Sequence, residues 1–502
     1  MSKGQPTTKT ESSSSSFDWD KVPWLPTRTQ FFFLLLFYFG LHTIVRGFVS
    51  ETAGIDDCDQ IIRAQIWSWG YGPQPPLYTW LLKIFLSVFG FNIFAVTALK
   101  ELALLGIYIL TYANTRIITR SHPCGVLAAV AIQFNPSISW ESHRELTHSI
   151  LTSLFVLATI YSFLRLKLDS WKSYFLFGVC AAVGTLSKPN YLIFLGALLC
   201  AVVSLKETRS LILHKKMLMA IVAAALLCAP NAYWIWEHRE LAFSSLHKFK
   251  VSEIESWGAS MAKALPKWIV DLVVHVGPML AVFFLIFWKK LFRSKCHSAE
   301  EKILWRTVLF ILGIVTASIL IFKVTGFRDR WLQPLFVWLP ILLVAALREQ
   351  LSPLRLMLTL HLSVLVASAV VVIAPGRLLL TEPLAKNEIL NTPYRRFAAD
   401  LKPIFDNTEC IIAADYRIAG NLRLLFPSKF VTSPEFADLF PRVTGRCVLV
   451  WDTTAGEEPP KQFLQFAESI SGKKNLGART TAQEILKYHQ TKTMQLATAV
   501  LD

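Results

Sequence analysis

Asp56–Trp80, DDCDQIIRAQIWSWGYGPQPPLYTW, packs Asp56, Asp57 and Asp59 directly ahead of a segment rich in aromatic residues and proline. It follows an apolar run of membrane length at residues 30–48. Carboxylates beside a hydrocarbon boundary are costly unless they are solvated or used, and the Pro75-Pro76 pair forbids simple continuation of a membrane helix. The stretch therefore reads as the heart of an active site at a membrane surface, in a first external loop spanning about residues 49–91.

The composition around it fits that placement. Of 502 residues, 53% are hydrophobic and 17% charged, a balance that a soluble protein of this size seldom tolerates. About eleven runs are long enough to cross a bilayer: 30–48, 92–115, 124–140, 147–165, 172–187, 190–205, 217–236, 268–288, 306–322, 331–347 and 355–374. The expected fold is mainly α, a polytopic membrane protein. Residues 1–29 are polar, with a serine run at Ser12–Ser16, and are expected to form a disordered cytoplasmic tail without a cleavable signal.

A formal charge of +16 raises the question of nucleic acid. The basic residues alternate with apolar spans instead of forming one stripe, so membrane topology accounts for them and no nucleic-acid partner is expected. The densest cluster, Lys289, Lys290, Arg293, Lys295, Lys302 and Arg306, belongs inside by the positive-inside rule. The N-terminus is then cytoplasmic, and an odd number of spans puts the C-terminus outside, beside the Asp56 loop. No feature requires a second copy of the chain, which reads as a monomer.

From about residue 376 continuous apolar runs give way to short strands and amphipathic helices. Cys410–Ala414, Lys429–Thr432 and Cys447–Trp451 read as strands, and Tyr394–Ile404, Arg417–Leu425 and Pro460–Ile470 as helices. Residues 376–502 thus form a small α/β domain outside, with the transmembrane domain at 30–375. It holds no nucleotide-binding glycine pattern, and Gly420 alone is weak evidence for one, so its plain reading is a structural or acceptor-positioning cap. The eight cysteines show no metal spacing. Five of them, Cys124, Cys180, Cys200, Cys228 and Cys296, read as small buried hydrophobes. Cys410 and Cys447, each opening a strand, are either free thiols or a disulfide in an oxidising compartment.

With this topology several charged segments share the external face. They are Asp56–Asp59, WESHRELTH at Trp140–His148, Lys188 in LSKPNY, GFRDRW at Gly326–Trp331, and the connection from Glu237 to Lys267, which carries Arg239, His247, Lys248 and Lys250. Carboxylates and cations together suit a reaction between a lipid phosphate and a hydroxyl. A carboxylate removes the hydroxyl proton while Lys or Arg stabilises the phosphate as it leaves. The plainer alternatives are a helix N-cap or solvated turn for the aspartates, snorkelling for Lys188, and an internal ion pair through Asp329 for Arg328 and Arg330.

The order of Asp56, Asp57, Gln65, Trp69, Gly70, Tyr71, Pro75, Pro76 and Leu77 resembles the first external loop of family 39 glycosyltransferases in the GT-C superfamily. WESHRELTH is similar to their second-loop acidic motif, LSKPNY to their Leu-x-Lys hairpin, and DRWLQP to the basic-aromatic motif that opens a late helix. The likeness is nearest to rhizobial lipopolysaccharide-core galacturonosyltransferases and more distant to aminoarabinose transferases and protein O-mannosyltransferases. It implies a GT-C fold, a polyprenyl-phosphate sugar donor, inversion at the anomeric carbon and a periplasmic active site in a bacterial inner membrane. The acceptor would be a hydroxyl of a glycolipid, lipopolysaccharide or polysaccharide.

Carried over by position, the resemblance makes Asp56 the catalytic base, Glu145 an acidic partner facing the same cavity, and Asp57 a support for the base. For Glu145 an ion pair with Arg144 or His148 is the structural alternative. Lys188, Arg328 and Arg330 are the donor-phosphate candidates, the arginines for their planar guanidinium. Asp59 stands where aminoarabinose enzymes carry a basic residue, and Arg63 one turn later is a substitute on the same face. Some relatives hold a divalent metal between the loop carboxylates; Asp56, Glu145 and His148 are the candidate ligands, though no spacing demands one. Trp67, Trp69, Tyr71, Tyr78 and Trp80 are expected to anchor at the interface. A transporter or flippase of lipid-linked sugars and a noncatalytic envelope scaffold are the rival readings. A transporter is expected to show inverted repeats or broken helices, and no repeat is evident.

Overall fold

A computed structural model describes residues 22–245, 256–291, 298–324 and 329–501. Among them, seven helices are long and apolar enough to cross a membrane: Arg28–Val49, Ile93–Thr119, Thr147–Leu164, Met217–Glu237, Trp257–Trp288, Ala299–Phe322 and Pro353–Leu379. Shorter apolar helices at His122–Ala131, Trp171–Thr185 and Tyr191–Ser204 join them. Each of the eleven expected runs thus falls on helix, but several differ in form.

The 331–347 run is broken into Gln333–Phe336 and Leu339–Leu347, each with proline in its first turn. Both pieces are buried throughout, which is how a short broken helix survives at membrane depth: neighbouring helices, not lipid, surround it. The 124–140 run ends as a helix at Ala131 and continues through a 3₁₀ turn to a π-helical turn, Ser137–Glu141, and the short turn Ser142–Arg144. The 268–288 span begins earlier, at Trp257, with Pro266 and Pro278 inside it, so much of the expected Glu237–Lys267 connection is helical. His247, Lys248 and Lys250 lie outside the described residues. The last span reaches Leu379, past the expected boundary at 376, and Pro375 falls in its final turns.

The C-terminal unit holds a five-stranded sheet of order β2-β1-β3-β5-β4: β1 (Cys410–Ala413), β2 (Phe430–Thr432), β3 (Cys447–Asp452), β4 (Leu476–Ile485) and β5 (Thr493–Leu501). β1 lies parallel between β2 and β3, while β5 runs antiparallel to both β3 and β4. The β4–β5 hairpin was not expected from sequence: β4 alternates exposed and half-buried positions and carries few large apolar side chains. The expected 394–404 helix is two pieces, Tyr394–Asp400 and Lys402–Asp406, with Pro403 opening the second. Cys410 and Cys447 are register partners on adjacent strands, and both thiols are free and buried.

This domain is bolted to the membrane bundle through the acidic segment. Asp56, Asp57 and Asp59 sit within a helix, Ile55–Arg63. That helix crosses Tyr416–Leu425 so closely that a Cβ on Gly420 would meet the Cys58 Cβ at 2.5 Å. Gly420 is thus a contact point between helices. Asn421 Oδ1 accepts the Ala53 amide at 2.7 Å, and Ile62 is buried in the domain's own core. Gln65 mimics a strand, donating to the Val431 carbonyl at 2.7 Å and accepting the Val431 amide at 3.0 Å on edge strand β2. At the hairpin tip Lys487 Nζ and the Tyr488 hydroxyl donate to the Val49 carbonyl, at 2.9 and 2.6 Å.

From the bundle side the same helix is held by charge. Asp57 does not reach solvent: Lys100, on the Ile93–Thr119 span, places Nζ 3.0 Å from each of its carboxylate oxygens, with both side chains 3% exposed. Removing one partner of such a pair leaves an uncompensated buried charge and costs about 3–5 kcal/mol. Lys100→Met should therefore lower the thermal midpoint sharply in detergent, while Asp57→Leu combined with Lys100→Met should recover most of the loss. If the double variant is as unstable as the single one, the ion pair is not what fixes this helix.

Candidate active site

A cavity of about 860 Å³ opens at the domain-bearing end of the bundle. Its polar wall includes Asp56, Asp59, Gln60, His148, Ser149, Lys188, Asn190 and Arg330, and its apolar flank includes Ile193, Val315, Ile319 and Phe322. Four of the sequence candidates (Asp56, His148, Lys188 and Arg330) thus meet in one space. Arg328 lies outside the described residues. Asp57, Glu145 and Arg63 are not in the cavity wall, and each has another task.

Glu145 was expected to face the cavity, but it sits behind Asp56 and caps the acidic helix. Its Oε2 accepts the Asp56 amide at 2.9 Å and its Oε1 lies 3.4 Å from the Ile55 amide. A carboxylate on the unsatisfied N–H groups of a helix start is favoured by both hydrogen bonding and the helix dipole. Gly54 permits the approach, since a Cβ there would meet Glu145 Oε1 at 3.0 Å. The contact is reciprocal: Asp56 Oδ2 accepts the Leu146 amide at 2.9 Å. Leu146 takes a left-handed backbone, φ 68° and ψ 35°, at a cost of about 1–2 kcal/mol. Burial, then the charges of Asp57 and Asp56, push the Glu145 carboxyl up to about 7 against the opposing pull of Lys100. Arg144, one of the two ion-pair partners in the structural alternative for Glu145, turns instead to Glu141 and the Trp140 ring.

Asp59 and Arg63 neutralise one another. Arg63 Nε and one terminal nitrogen each reach an Asp59 oxygen at 2.9 Å, and its other terminal nitrogen donates to the Tyr71 carbonyl. Its guanidinium also lies 5.0 Å over the Phe436 ring of the C-terminal domain. Arg63 is therefore committed, and the expectation that it substitutes as a phosphate ligand is not supported by its geometry. Gln60 adds a 2.8 Å hydrogen bond to Asp59 and accepts one from Thr79 at 2.6 Å.

The cations remain near Asp56. Lys188, in the turn between Trp171–Thr185 and Tyr191–Ser204, donates to Ser149 Oγ at 2.7 Å. Asn190 two residues on donates to the Trp331 carbonyl at 2.9 Å, which ties the Lys188 turn to the turn bearing Arg330. Burial, then the Arg330 charge, lower the Lys188 ammonium to about 8 against the attraction of Asp56. His148 Nδ1 lies 3.1 Å from the Ser187 carbonyl, so it carries the proton and leaves Nε2 as an acceptor, buried without a partner among the described residues.

A metal on Asp56, Glu145 and His148 does not fit this arrangement. Both Glu145 oxygens are turned to backbone amides, one Asp56 oxygen is taken by Leu146, and among the described residues these three do not converge as a metal-ligand group. The aromatic set also divides. Trp67 and Trp69 are 60% and 55% exposed, as interface anchors should be, whereas Tyr71 and Tyr78 are 1% exposed and pack inside the loop. Sequence reasoning missed Lys100, Gln60 and Asn190. Lys100 had a signal, a charged residue inside an apolar run.

The comparisons with known proteins agree with this architecture. Residues 73–234 match the sequence family described as dolichyl-phosphate-mannose-protein mannosyltransferase. Two curated relatives from Rhizobium johnstonii, the lipopolysaccharide core galacturonosyltransferases RgtB and RgtA, are each 27% identical. They align over 88% and 86% of this chain and 91% and 89% of their own lengths. Among solved structures, ArnT from Cupriavidus metallidurans bound to undecaprenyl phosphate superposes with a TM-score of 0.55 at 15% identity, covering 94% of this chain and 98% of that one. Its apo form gives 0.52 over 92% and 97%. The loop motif, the full-length relatives and the superposition agree: the chain is similar in sequence to lipopolysaccharide core galacturonosyltransferases and shares the fold of ArnT, and it is a membrane glycosyltransferase.

Proposed function

We propose that this enzyme transfers a uronic acid from a polyprenyl-phosphate carrier to a hydroxyl of a periplasmic glycolipid, lipopolysaccharide or polysaccharide. The N-terminus would be cytoplasmic and the active site at the outer face of a bacterial inner membrane. The observation that carries the reading is the division of one cavity: Asp56 beside Lys188 and Arg330 on its polar wall, and Val315, Ile319 and Phe322 on its apolar flank. A ligand with a charged phosphate head and a hydrocarbon tail suits both walls. The curated relatives are galacturonosyltransferases by name, and the ArnT structure contains undecaprenyl phosphate. The cations of the wall would serve the carrier phosphate and the sugar carboxylate alike.

The reaction is a single displacement. The acceptor oxygen attacks the anomeric carbon as Asp56 takes its proton. The bond from that carbon to the phosphate oxygen breaks, and the carrier leaves with the electron pair on its phosphate. Attack opposite the leaving group inverts the anomeric centre. The Leu146 amide holds one Asp56 oxygen, and Oδ1 has no hydrogen-bond partner among the described residues. Lys188 and Arg330 supply positive charge where the leaving phosphate gains negative charge, the usual form of electrostatic catalysis.

Asp56→Asn keeps the shape but not the base and should lower sugar transfer by about 10²–10⁴-fold in purified, folded protein; transfer at the wild-type rate would remove Asp56 from this role. Lys188 gives a pH test. Below about 8 it is an ammonium and attracts phosphate, and above that it is neutral. The apparent KM for the carrier-linked donor should therefore rise as pH increases through about 8, and Lys188→Met should have a raised KM without that rise. A flat wild-type profile would exclude Lys188 from phosphate binding. The sugar is identified by mass spectrometry of envelope glycolipids from a strain lacking the protein. Loss of a hexuronic acid is expected, and loss of a neutral hexose or an amino sugar instead would contradict the uronic-acid assignment.

A further inference from the structure

Inside the bundle, away from the cavity wall, His42, Glu101 and His143 bring one ligand atom each within 4.8 Å of one another. They come from three separate parts of the chain: the Arg28–Val49 span, the Ile93–Thr119 span and the short Ser142–Arg144 turn. All three are buried, at 7%, 3% and 9% exposure. By the helical rise, His42 and Glu101 each lie roughly 10–12 Å in from the domain-bearing ends of their spans, so they share one depth.

The cluster is incompletely satisfied. His143 Nδ1 is 2.8 Å from Glu101 Oε1, but His42 Nε2 and Glu101 Oε2 are buried with no partner among the described residues. The Tyr38 ring stands edge-on to His42 at 4.7 Å. The His42 and His143 rings stack with centroids 3.9 Å apart and 15° between planes, an arrangement that disfavours two imidazolium charges. Unpaired polar atoms at this depth carry a large desolvation cost. A cation shared by two neutral imidazoles and one carboxylate removes that cost and balances the Glu101 charge.

We propose that His42, Glu101 and His143 bind a divalent transition metal, separate from the catalytic carboxylates. Two nitrogens and one oxygen suit Zn²⁺, Fe²⁺ or Mn²⁺ chemistry better than Ca²⁺ or Mg²⁺, which prefer oxygen alone. Three protein ligands leave coordination positions for solvent or for a neighbouring polar group. The site's position gives it a task. His143 is two residues before Glu145, so a metal here would pin the turn that delivers Glu145 and Leu146 to the start of the acidic helix. His42, Glu101 and His143 are then positioning residues.

The test is metal content measured on protein carrying no histidine tag, by inductively coupled plasma mass spectrometry after dialysis against Zn²⁺ and then against metal-free buffer. About one equivalent per chain is expected, because two imidazoles and a carboxylate buried in the bundle bind such an ion tightly and shield it from exchange. Reconstitution with Co²⁺ should give visible ligand-field absorption, a readout of nitrogen and oxygen coordination that packing alone cannot produce. His42→Phe preserves a ring against Tyr38 and His143 and should fold, yet its metal occupancy should fall at least about tenfold. Asp56→Asn should keep the full occupancy. Wild-type protein that takes up neither Zn²⁺ nor Co²⁺ would overturn the proposal, leaving a hydrogen-bonded imidazole–carboxylate pair. Unchanged occupancy in His42→Phe, or its loss in Asp56→Asn, would also overturn it by placing the ion at another site.

Discussion

The structure depends on how the acidic helix Ile55–Arg63 is fastened at its N-terminus. Glu145 accepts its leading amides, and Asp56 in return accepts the Leu146 amide. Each carboxylate thus holds the backbone that carries the other. One oxygen of Asp56 is fixed by this exchange, so the proposed base would be oriented before any substrate arrives. Such pre-organisation means the reaction does not have to reorganise the base as charge develops. The left-handed Leu146 is the strain that the arrangement accepts in return.

The three aspartates of the opening stretch divide their labour by environment. Asp57 faces the bundle and is neutralised by Lys100. Asp59 faces the cavity but is neutralised by Arg63 and hydrogen-bonded by Gln60. Of the three, Asp56 alone has no ion pair among the described residues, and it lines the cavity together with Lys188 and Arg330. The C-terminal domain contributes by clamping the same helix from above, through Gly420, Asn421 and the Gln65–Val431 pairing. Its role in the fold is therefore to press the acidic segment onto the membrane bundle.

Much of this was legible in the chain. Runs of apolar residues located the helices because the length needed to cross a bilayer is a strong physical constraint, and the Asp56–Trp80 motif located the cavity. Less visible was anything decided by long-range packing. The role of Glu145 as a helix cap requires knowing that Gly54 lies beside it, 91 positions away in sequence. Arg63 looked available because helical spacing does not reveal that Tyr71 and Phe436 claim its remaining faces. The β4–β5 hairpin carries few apolar residues on β4, so periodicity gave no sign of it. Lys100, Glu101 and His42 did leave a mark, as ionisable residues within apolar runs, and their meaning appears only when the spans are brought together.

The account rests on one spatial claim: the leaving phosphate is held by Lys188 and Arg330 while Asp56 faces the acceptor. The most direct measurement is a cryo-electron microscopy structure of the protein in lipid nanodiscs with bound polyprenyl phosphate. The account predicts phosphate density within hydrogen-bonding distance of Lys188 Nζ and the Arg330 guanidinium, with the lipid chain running along Val315, Ile319 and Phe322. A phosphate seated away from both cations, or a lipid chain on another face of the bundle, would contradict it.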